Sequence, residues 1–307
     1  MGSRGVRHEA QSWNRMSNWL AIVNPYSGQY KSSGFERRWM PELRQLVDSV
    51  VCTDAAAEAT KIARESKDFD GIVVVGGDGT IFEVINGMER ERQHLGLIPT
   101  GRGNCLARDL GIRIVDDGFR ALQSGTGICI DLMQADIDLS DDRQRIYLSA
   151  STIALGYVAS VVDRASGFRA AGPYGYALAT LLTRPNSFQY RLNAANRNDG
   201  ERSCTGIIFN NTVHLANFPT FTDAALQDGL LDVMVLNVGW LRQALHNLSV
   251  LSGLHVYDPG ERSQSKSIKL SPSSPQTLMI DGQLYPGVTE LSVECLPAAL
   301  WCRHIAQ

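Results

Sequence analysis

Residues 71–80 limit the possible folds more than any other part of the chain. Residues 72–75 form the continuous apolar run that is typical of a parallel strand, and three glycines then follow within four positions. Thr80 and Glu83 have the spacing of a capping box, and apolar residues recur in a helical pattern after Thr80. We therefore predict a strand, a glycine loop and a helix that begins at Thr80.

A glycine loop at the N-terminus of a helix is suited to bind an anion. Unpaired N–H groups and the positive end of the helix dipole face the ligand, and glycines let phosphate oxygens approach the backbone. Asp78 would repel phosphate unless it holds a cation or accepts a proton, so the loop indicates phosphoryl transfer rather than simple phosphate binding. The alternative is a tight strand-to-helix turn with Asp78 as an additional cap.

The composition indicates an ordinary globular protein and excludes several classes. The 307 residues are 44% apolar and 20% charged, a length that favours two domains. With a net charge of −3, the chain lacks the excess of basic residues that is typical of proteins that bind nucleic acid. The six cysteines show no CxxC spacing, which favours reduced thiols in a cytoplasmic protein. Residues 1–17 are predicted to be disordered, and no apolar run is long enough for a membrane span, so any membrane contact would be peripheral.

Strand and helix patterns alternate in the first part of the chain and predict a parallel sheet with helices on both faces. The apolar runs that precede helical stretches are residues 20–23, 49–52, 72–75 and 95–98. Loops at the carboxyl ends of such strands line one crevice. We therefore expect the loops near Asn24, Thr53, Gly76 and Gly101 to converge.

Strand patterns dominate after residue 125 and predict a second, mostly antiparallel domain. A hairpin is expected from residues 128–133 and 146–149. Further strands are predicted at 188–192, 204–210, 230–236, 268–270, 277–280 and 291–296, and helices at 154–165, 174–182 and 241–251.

Six motifs in the same order resemble those of the diacylglycerol kinase catalytic-domain superfamily, which includes sphingosine kinases, ceramide kinases and bacterial lipid kinases. They are Val23-Asn24-Pro25 with Ser27-Gly28, Thr53 before an alanine-rich helix, Gly76-Gly77-Asp78-Gly79-Thr80, Ile98-Pro99 with Gly101 and Asn104, Asp228-Gly229-Leu230-Leu231-Asp232, and Asp281-Gly282. NAD kinases share the glycine loop, but residues 104–108 continue in the manner of lipid kinases. The resemblance covers the chain from about residue 20 to about residue 300.

The resemblance implies an α/β N-terminal domain with a parallel sheet, like that of phosphofructokinases and NAD kinases, and a C-terminal, mainly antiparallel β-sandwich domain. The nucleotide-binding domain would span residues 18–127, completed by about 296–307, and the lipid-substrate domain residues 128–295. The implied activity is transfer of the γ-phosphoryl group of ATP, with Mg²⁺, to a lipid hydroxyl at a membrane surface. The resemblance leaves open whether the protein forms a homodimer.

The resemblance also implies which residues form the site. Those expected to contact ATP are Asn24, Ser27, Gly28, Thr53, Gly76, Gly77, Asp78, Gly79, Thr80, Gly101, Arg102 and Asn104. Asp78 and Asp281 would be the catalytic carboxylates. Asp228, with the backbone carbonyls of Ala225 and Leu230, would bind a structural Mg²⁺. Without the resemblance, the Asp-Gly pairs at 228 and 281 are typical of simple turns.

Three positions depart from the family pattern. Arg102 replaces a Thr or Ser and either binds phosphate or points to solvent. Val158 and Gln283 stand where an acid is usual, and glutamine cannot accept a proton. If position 283 holds the family's proton acceptor, this chain must use Asp281 or Asp78, or be slow or inactive. Two alternatives therefore stay open: an NAD kinase and a nucleotide-binding pseudokinase with a regulatory role.

Overall fold

The computed structural model describes residues 16, 18–124, 126–167, 174–194, 197–198, 200–215, 218–237, 239, 242–243 and 260–305. One mixed sheet runs through these residues, parallel in the first part of the chain and antiparallel in the second. Within the described residues, no helix combines the length and the apolar character that crossing a bilayer requires.

Four parallel strands form the first part of the sheet, in the order β2-β1-β3-β4. They are β1 Trp19–Val23, β2 Ser49–Cys52, β3 Gly71–Gly76 and β4 His94–Pro99. The helices of this part are α1 Phe35–Arg38, α2 Met40–Leu46, α3 Glu58–Glu65, α4 Asp78–Ile85, α5 Cys105–Asp109 and α6 Val115–Ser124. Alternate residues of β3 belong to two different cores, Ile72 and Val74 to one and Val73 and Val75 to the other. Both faces of the sheet are therefore covered, as the continuous apolar run predicts.

The second part of the chain is a mainly antiparallel β-sandwich with two helices beside it. Its strands are β5 Gly127–Leu139, β6 Gln144–Ser149, β7 Thr152–Gly156, β8 Phe188–Ala194, β9 Arg197–Asn198, β10 Arg202–Cys204, β11 Gly206–Asn210, β12 His214–Leu215, β13 Phe218–Pro219, β14 Leu231–Leu236, β15 Gly260–Ser265, β16 Ser267–Pro272, β17 Gln276–Ile280 and β18 Gln283–Arg303, and its helices are α7 Tyr157–Ser166 and α8 Tyr174–Leu182. One core joins strands β5, β8, β16 and β18 to strands β7, β11, β14 and β17.

Strand β18 connects the two parts of the fold. It pairs antiparallel with β5 along most of its length, and Cys302 near its end pairs in parallel with Leu95 of β4. β5 and β6 form the predicted hairpin. Residue 127 is the predicted end of the first domain, but β5 and β18 continue the sheet across it. The sheet therefore shows no boundary there, and the domain limits stay a prediction.

The predicted capping box of Thr80 and Glu83 is wrong. Helix α4 begins at Asp78, and the residue before it makes no side-chain cap. The Thr80 hydroxyl accepts a hydrogen bond from Nδ2 of Asn24 at 3.0 Å. The Glu83 carboxylate instead accepts backbone N–H groups at the start of α3, from Ala57 at 3.0 Å and Ala59 at 3.3 Å. The acid at this spacing therefore caps the neighbouring helix, not its own.

Two predicted helices and one strand without a prediction also differ between sequence and structure. Residues 154–156, predicted as helix, belong to β7, and α7 begins after Gly156, whose φ of 81° lets the chain turn. Strand β15 was not predicted because its residues are mostly polar and exposed. The helical stretch expected after the apolar run of residues 20–23 is divided into α1 and α2. Of the helix predicted at 241–251, only residues 242–243 are among those described.

Candidate functional site

A cavity of about 830 Å³ is lined by residues of both parts of the fold. One portion of its lining comes from the loops that follow the four parallel strands, which converge as the sequence predicts. A second portion is apolar and comes mainly from α7 and from strands of the sandwich, with Tyr157, Val161, Ile208 and Met279 among its side chains. The cavity therefore joins a polar, glycine-rich region to an apolar one.

Two glycine loops pack backbone against backbone beside this cavity. A Cβ atom on Gly101 would lie 2.3 Å from the Cα of Gly77, and one on Gly77 would lie 2.7 Å from the Cα of Gly101. Only glycine fits at both positions. Asn104 fixes the second loop, because its side chain both accepts from the N–H of Gly101 and donates to its carbonyl, each at 3.0 Å. The loops thus present bare backbone to the cavity.

Asp78 ties the first glycine loop to the start of α5. One carboxylate oxygen accepts the backbone N–H of Asn104 at 2.9 Å, and the other accepts that of Cys105 at 2.8 Å. Burial raises the pKa of Asp78, although the two backbone donors and Arg108 act in the opposite direction. The carboxylate lines the cavity and also holds the two loops together.

The polar residues predicted to contact ATP also stabilise the loop after β1. Oδ1 of Asn24 accepts the backbone N–H of Tyr26 at 2.9 Å, while its Nδ2 reaches Thr80. The hydroxyls of Ser27 and Thr100 are 2.7 Å apart. These bonds fix the loops relative to one another, which leaves backbone groups to meet a ligand.

Arg102 lies along the cavity rather than away from it. A Cβ atom on Gly28 would lie 2.5 Å from Cγ of Arg102 and 3.1 Å from its Nε, so the exposed side chain extends across this glycine. Both residues line the cavity. This position favours the phosphate-binding interpretation of Arg102 over the solvent-directed one.

Asp281 is both a turn residue and a buried carboxylate of the cavity. With Gly282 it forms the two-residue turn between β17 and β18, at φ values of 44° and 88°. Its Oδ1 accepts the Ser149 hydroxyl at 2.9 Å and the Thr152 N–H at 2.8 Å, and its Oδ2 accepts the Ala150 N–H at 3.1 Å. Oδ2 therefore keeps a lone pair for a further donor.

The environment of Asp281 brings its pKa close to neutrality. Burial is the largest cause and, with a smaller contribution from the charge of Asp78, it raises the pKa to about 6. The three hydrogen-bond donors act in the opposite direction but are outweighed. A carboxylate with such a pKa is suited to accept a proton from a substrate.

The two positions that lack the usual acid both line the cavity. Gln283 lies over the glycine loop, since a Cβ atom on Gly79 would be 3.3 Å from its Nε2. Val158 is partly buried on α7 and contributes to the apolar region. Neither of these two positions therefore supplies a carboxylate. The acids that do line the cavity are Asp54, Asp78, Glu83 and Asp281. Of these, Asp54 is exposed and Glu83 binds the start of α3, so the two predicted carboxylates are the better candidates.

The predicted metal residues are not part of the cavity lining. Asp228 is exposed, and its Oδ1 accepts the N–H of Leu230 at 3.0 Å. Ala225 lies in the same loop, which buried Asp131 holds through the N–H of Gly229 at 2.7 Å. Among the described residues, no group of three or more Asp, Glu, His or Cys side chains is arranged to hold a metal ion.

Sequence reasoning gave no role to Asp232, the last residue of the Asp-Gly-Leu-Leu-Asp motif. Its side chain is 8% exposed, and its buried Oδ2 has no hydrogen-bond partner, while Oδ1 accepts from Gln264 at 3.0 Å. Burial and the nearby charges of Asp228 and Asp223 raise its pKa. A hard cation would satisfy the unpaired oxygen of Asp232, but the described acids form no group of three or more that could hold one.

The structure brings most of the predicted site residues into one lining. Those lining the cavity are Asn24, Ser27, Gly28, Thr53, Gly77, Asp78, Gly79, Thr80, Gly101, Arg102 and Asp281. Gly76 ends β3, and a Cβ atom there would lie 2.6 Å from that of Thr80. Asn104 is buried behind the second glycine loop. Ser149 and Thr152 position Asp281 through a hydroxyl and a backbone N–H, and they were missed because neither group gives a functional signal in a strand pattern.

Comparison with known proteins gives two family matches along the chain. The sequence model of the diacylglycerol kinase catalytic domain matches residues 18–135. That of the YegS C-terminal NAD kinase beta sandwich-like domain matches residues 151–303.

Three known proteins illustrate the similarity. The diacylglycerol kinase of Staphylococcus haemolyticus (strain JCSC1435) is 25% identical over 281 residues, which cover 85% of this chain and 81% of that protein. Sphingosine kinase 2 of Homo sapiens is 28% identical over 198 residues, covering 56% of this chain but only 29% of that longer protein. The crystal structure of a diacylglycerol kinase from Bacillus anthracis strain Sterne superimposes with a TM-score of 0.74 at 21% identity, over 97% of this chain and 99% of that one, so the fold is shared.

Proposed function

Because the chain belongs to the diacylglycerol kinase catalytic-domain superfamily, we propose that it is an ATP- and Mg²⁺-dependent lipid kinase that phosphorylates a lipid hydroxyl at a membrane surface. The observation that carries this proposal is the composition of one cavity lining. It contains two glycine loops, a carboxylate with a pKa of about 6 and an apolar region that would suit part of an acyl chain.

The glycine loops are suited to the phosphates of ATP. Gly77 and Gly79 offer backbone N–H groups without side chains, and the positive end of α4 faces the same region. The N–H of Gly101 is bound by Asn104, so Gly101 contributes by letting the two loops pack closely. Arg102 adds a cation along the cavity. Mg²⁺, when bound, would neutralise charge on the phosphates, and Asp78 in the glycine loop is the residue that would hold it there.

Asp281 is the better candidate to accept the proton of the lipid hydroxyl. Three donors fix its carboxylate, and one lone pair on Oδ2 is left for the substrate. Asp78 also keeps a lone pair on each oxygen, but its two backbone donors make it the link that holds the glycine loops together. We therefore assign proton acceptance to Asp281 and positioning of the phosphate loops to Asp78.

Labelled phosphate transfer tests the proposed function. The purified protein, γ-labelled ATP and Mg²⁺ would be incubated with a total lipid extract, and in parallel with NAD, and the labelled product identified by mass spectrometry. A labelled lipid supports the proposal. Labelled NADP would favour the NAD kinase alternative, and ATP binding with no labelled product of either kind would favour the pseudokinase.

The pH dependence of the reaction should report the ionisation of Asp281. Only the carboxylate form accepts a proton, so kcat/KM should rise about tenfold per pH unit below pH 6 and level off above it. The measurement is the initial rate between pH 5 and 8 with buffers of constant ionic strength. A rate that stays constant through pH 6 would contradict this role.

Replacing Gln283 with glutamate should change kcat by less than about threefold, because Asp281 already supplies the proton acceptor. The measurement is kcat of the variant and of the wild type with the lipid identified above. A gain of about a hundredfold or more would show that the chain lacks its base, and would support the pseudokinase alternative.

A structural Mg²⁺ near Asp228 would satisfy the unpaired oxygen of Asp232, whose pKa is raised by burial and by the charge of Asp228. We expect Mg²⁺ to raise the melting temperature, since a ligand that binds only the folded state at about a hundred times its Kd stabilises it by about 2.7 kcal/mol. Asp228→Asn should remove this shift when ATP is absent, whereas Asp136→Asn on β5 should keep it. An equal Mg²⁺ effect in both variants would place the ion elsewhere.

A further inference from the structure

Two leucines on α8 form an exposed apolar strip, which we call the outer strip. Leu178 is 39% exposed and Leu182 is 49% exposed, and their separation of four residues places them on one side of the helix. Ala179 is fully buried, and Thr180 lines the cavity, so other sides of α8 face the protein. Single exposed leucines are ordinary, but two neighbours on one helix face form a contiguous apolar patch.

Basic side chains flank the outer strip. Leu182 also lines a recess of about 810 Å³ between α7, α8 and the β17–β18 hairpin. Arg164 of α7 and Arg184, just after α8, line the same recess and are exposed. Asp163 is the acidic residue of that lining, so arginines outnumber acids there. Leucines beside arginines are the chemistry that binds an anionic lipid surface, where acyl chains meet the former and headgroup phosphates the latter.

Helix α8 lies between this surface and the cavity. Thr180 contributes to the cavity lining, and the hydroxyl of Tyr157, another lining residue, donates to the carbonyl of Thr180 at 2.9 Å. The side of α8 that carries the outer strip is therefore backed by the apolar region in which an acyl chain would lie. A bilayer against the outer strip would be separated from that region by a single helix.

We propose that the outer strip, with Arg164 and Arg184, docks the protein onto an anionic lipid bilayer and so places the apolar region of the cavity beside the membrane. The proposal rests on the proposed lipid kinase activity for its purpose, but the docking itself requires neither ATP nor turnover. It assigns the membrane contact to α7 and α8 rather than to the α/β part of the fold.

Vesicle co-sedimentation tests the docking. The full chain should bind vesicles of phosphatidylcholine with phosphatidylglycerol more strongly than vesicles of phosphatidylcholine alone, because each basic side chain near an anionic surface adds about 1 kcal/mol, roughly a fivefold effect. The double variant Leu178→Ser with Leu182→Ser should lower the partition coefficient by about tenfold, since two half-exposed leucines bury about as much area as one complete side chain. Arg164→Gln with Arg184→Gln should remove the preference for anionic vesicles.

A matched control replaces two exposed isoleucines far along the chain from α8. Ile114 is 56% exposed and Ile146 is 65% exposed, so Ile114→Ser with Ile146→Ser removes a similar apolar area. This variant should bind vesicles like the wild type. Equal losses in the two double variants, or no vesicle binding by the wild type, would overturn the proposal. A leucine variant that halves the molecular mass in light scattering would show that a second copy covers the strip, and would also overturn it.

Activity in detergent micelles separates this proposal from the proposed function. Neither leucine lines the cavity, so the leucine double variant should keep its melting temperature and its rate toward a lipid dispersed in non-ionic detergent. Loss of that rate with an unchanged melting temperature would make the leucines part of the substrate site and overturn docking. Absence of any phosphate transfer by the wild type, with vesicle binding intact, would overturn the kinase but not the docking.

Discussion

Replacing Asp281 with asparagine is expected to lower kcat by about a thousandfold, within the range of general acid–base catalysis. The amide cannot accept the proton of the lipid hydroxyl. Its Nδ2 would also face one of the donors that now bind the carboxylate, the Ser149 hydroxyl or the backbone N–H groups of Ala150 and Thr152. The measurement is kcat and KM for ATP by initial rates, together with the melting temperature.

Asp131 offers a matched control for this substitution. It is also buried and also accepts two backbone N–H groups, from Gly229 and Ala298, each at 2.7 Å, but it does not line the cavity. Asp131→Asn should therefore lower the melting temperature while leaving kcat of the folded protein within about twofold of the wild type. If Asp281→Asn keeps wild-type kcat, or if both variants lose kcat equally, Asp281 is not the proton acceptor.

Replacing Gly101 with alanine is expected to weaken ATP binding by about a hundredfold. The new Cβ would lie 2.3 Å from the Cα of Gly77, and neither backbone can yield as a flexible side chain would. One glycine loop must therefore move by about 1 Å, a displacement that can cost about a hundredfold at a positioned site. The movement should also strain the hydrogen bonds of Asn104 to residue 101. The measurement is the Kd for ATP by isothermal titration calorimetry.

Two other glycines control for the effect of the methyl group itself. Gly200 has no atom within 4 Å of an added Cβ, so Gly200→Ala should leave the Kd unchanged. Gly79→Ala should have an intermediate effect, because its Cβ would meet only the amide of Gln283, at 3.3 Å. A Gly101→Ala protein that binds ATP like the wild type would show that the two loops do not form the phosphate site.

The parallel sheet and its crevice could be predicted from the sequence because both follow from local rules. The apolar run of residues 72–75 must be buried on both faces, and the structure divides it between two cores. Strands of such a sheet point the same way, so the glycine loops had to meet at one edge. Four of the six motifs that carry the resemblance lie in the loops of this sheet, and the family matches confirm the resemblance.

Features that depend on distant contacts could not be predicted. The spacing of Thr80 and Glu83 suggests a cap within one helix, but Glu83 reaches α3, more than 20 residues away in the chain. The hydroxyl of Ser149 that fixes Asp281 is separated from it by 132 positions. The polar edge strand β15 has no apolar pattern to reveal it. In each case the determining contact is made by tertiary packing, which residue spacing does not report.

Transfer of the γ-phosphoryl group tests the central claim most directly. Wild-type protein and Asp281→Asn would be incubated with γ-labelled ATP, Mg²⁺ and a panel of diacylglycerol, ceramide, sphingosine and monoacylglycerol in mixed micelles. We predict that the wild type labels a chloroform-soluble lipid and that Asp281→Asn labels almost none. A folded wild-type protein that binds ATP but labels no lipid in the panel or in a total lipid extract would contradict the account.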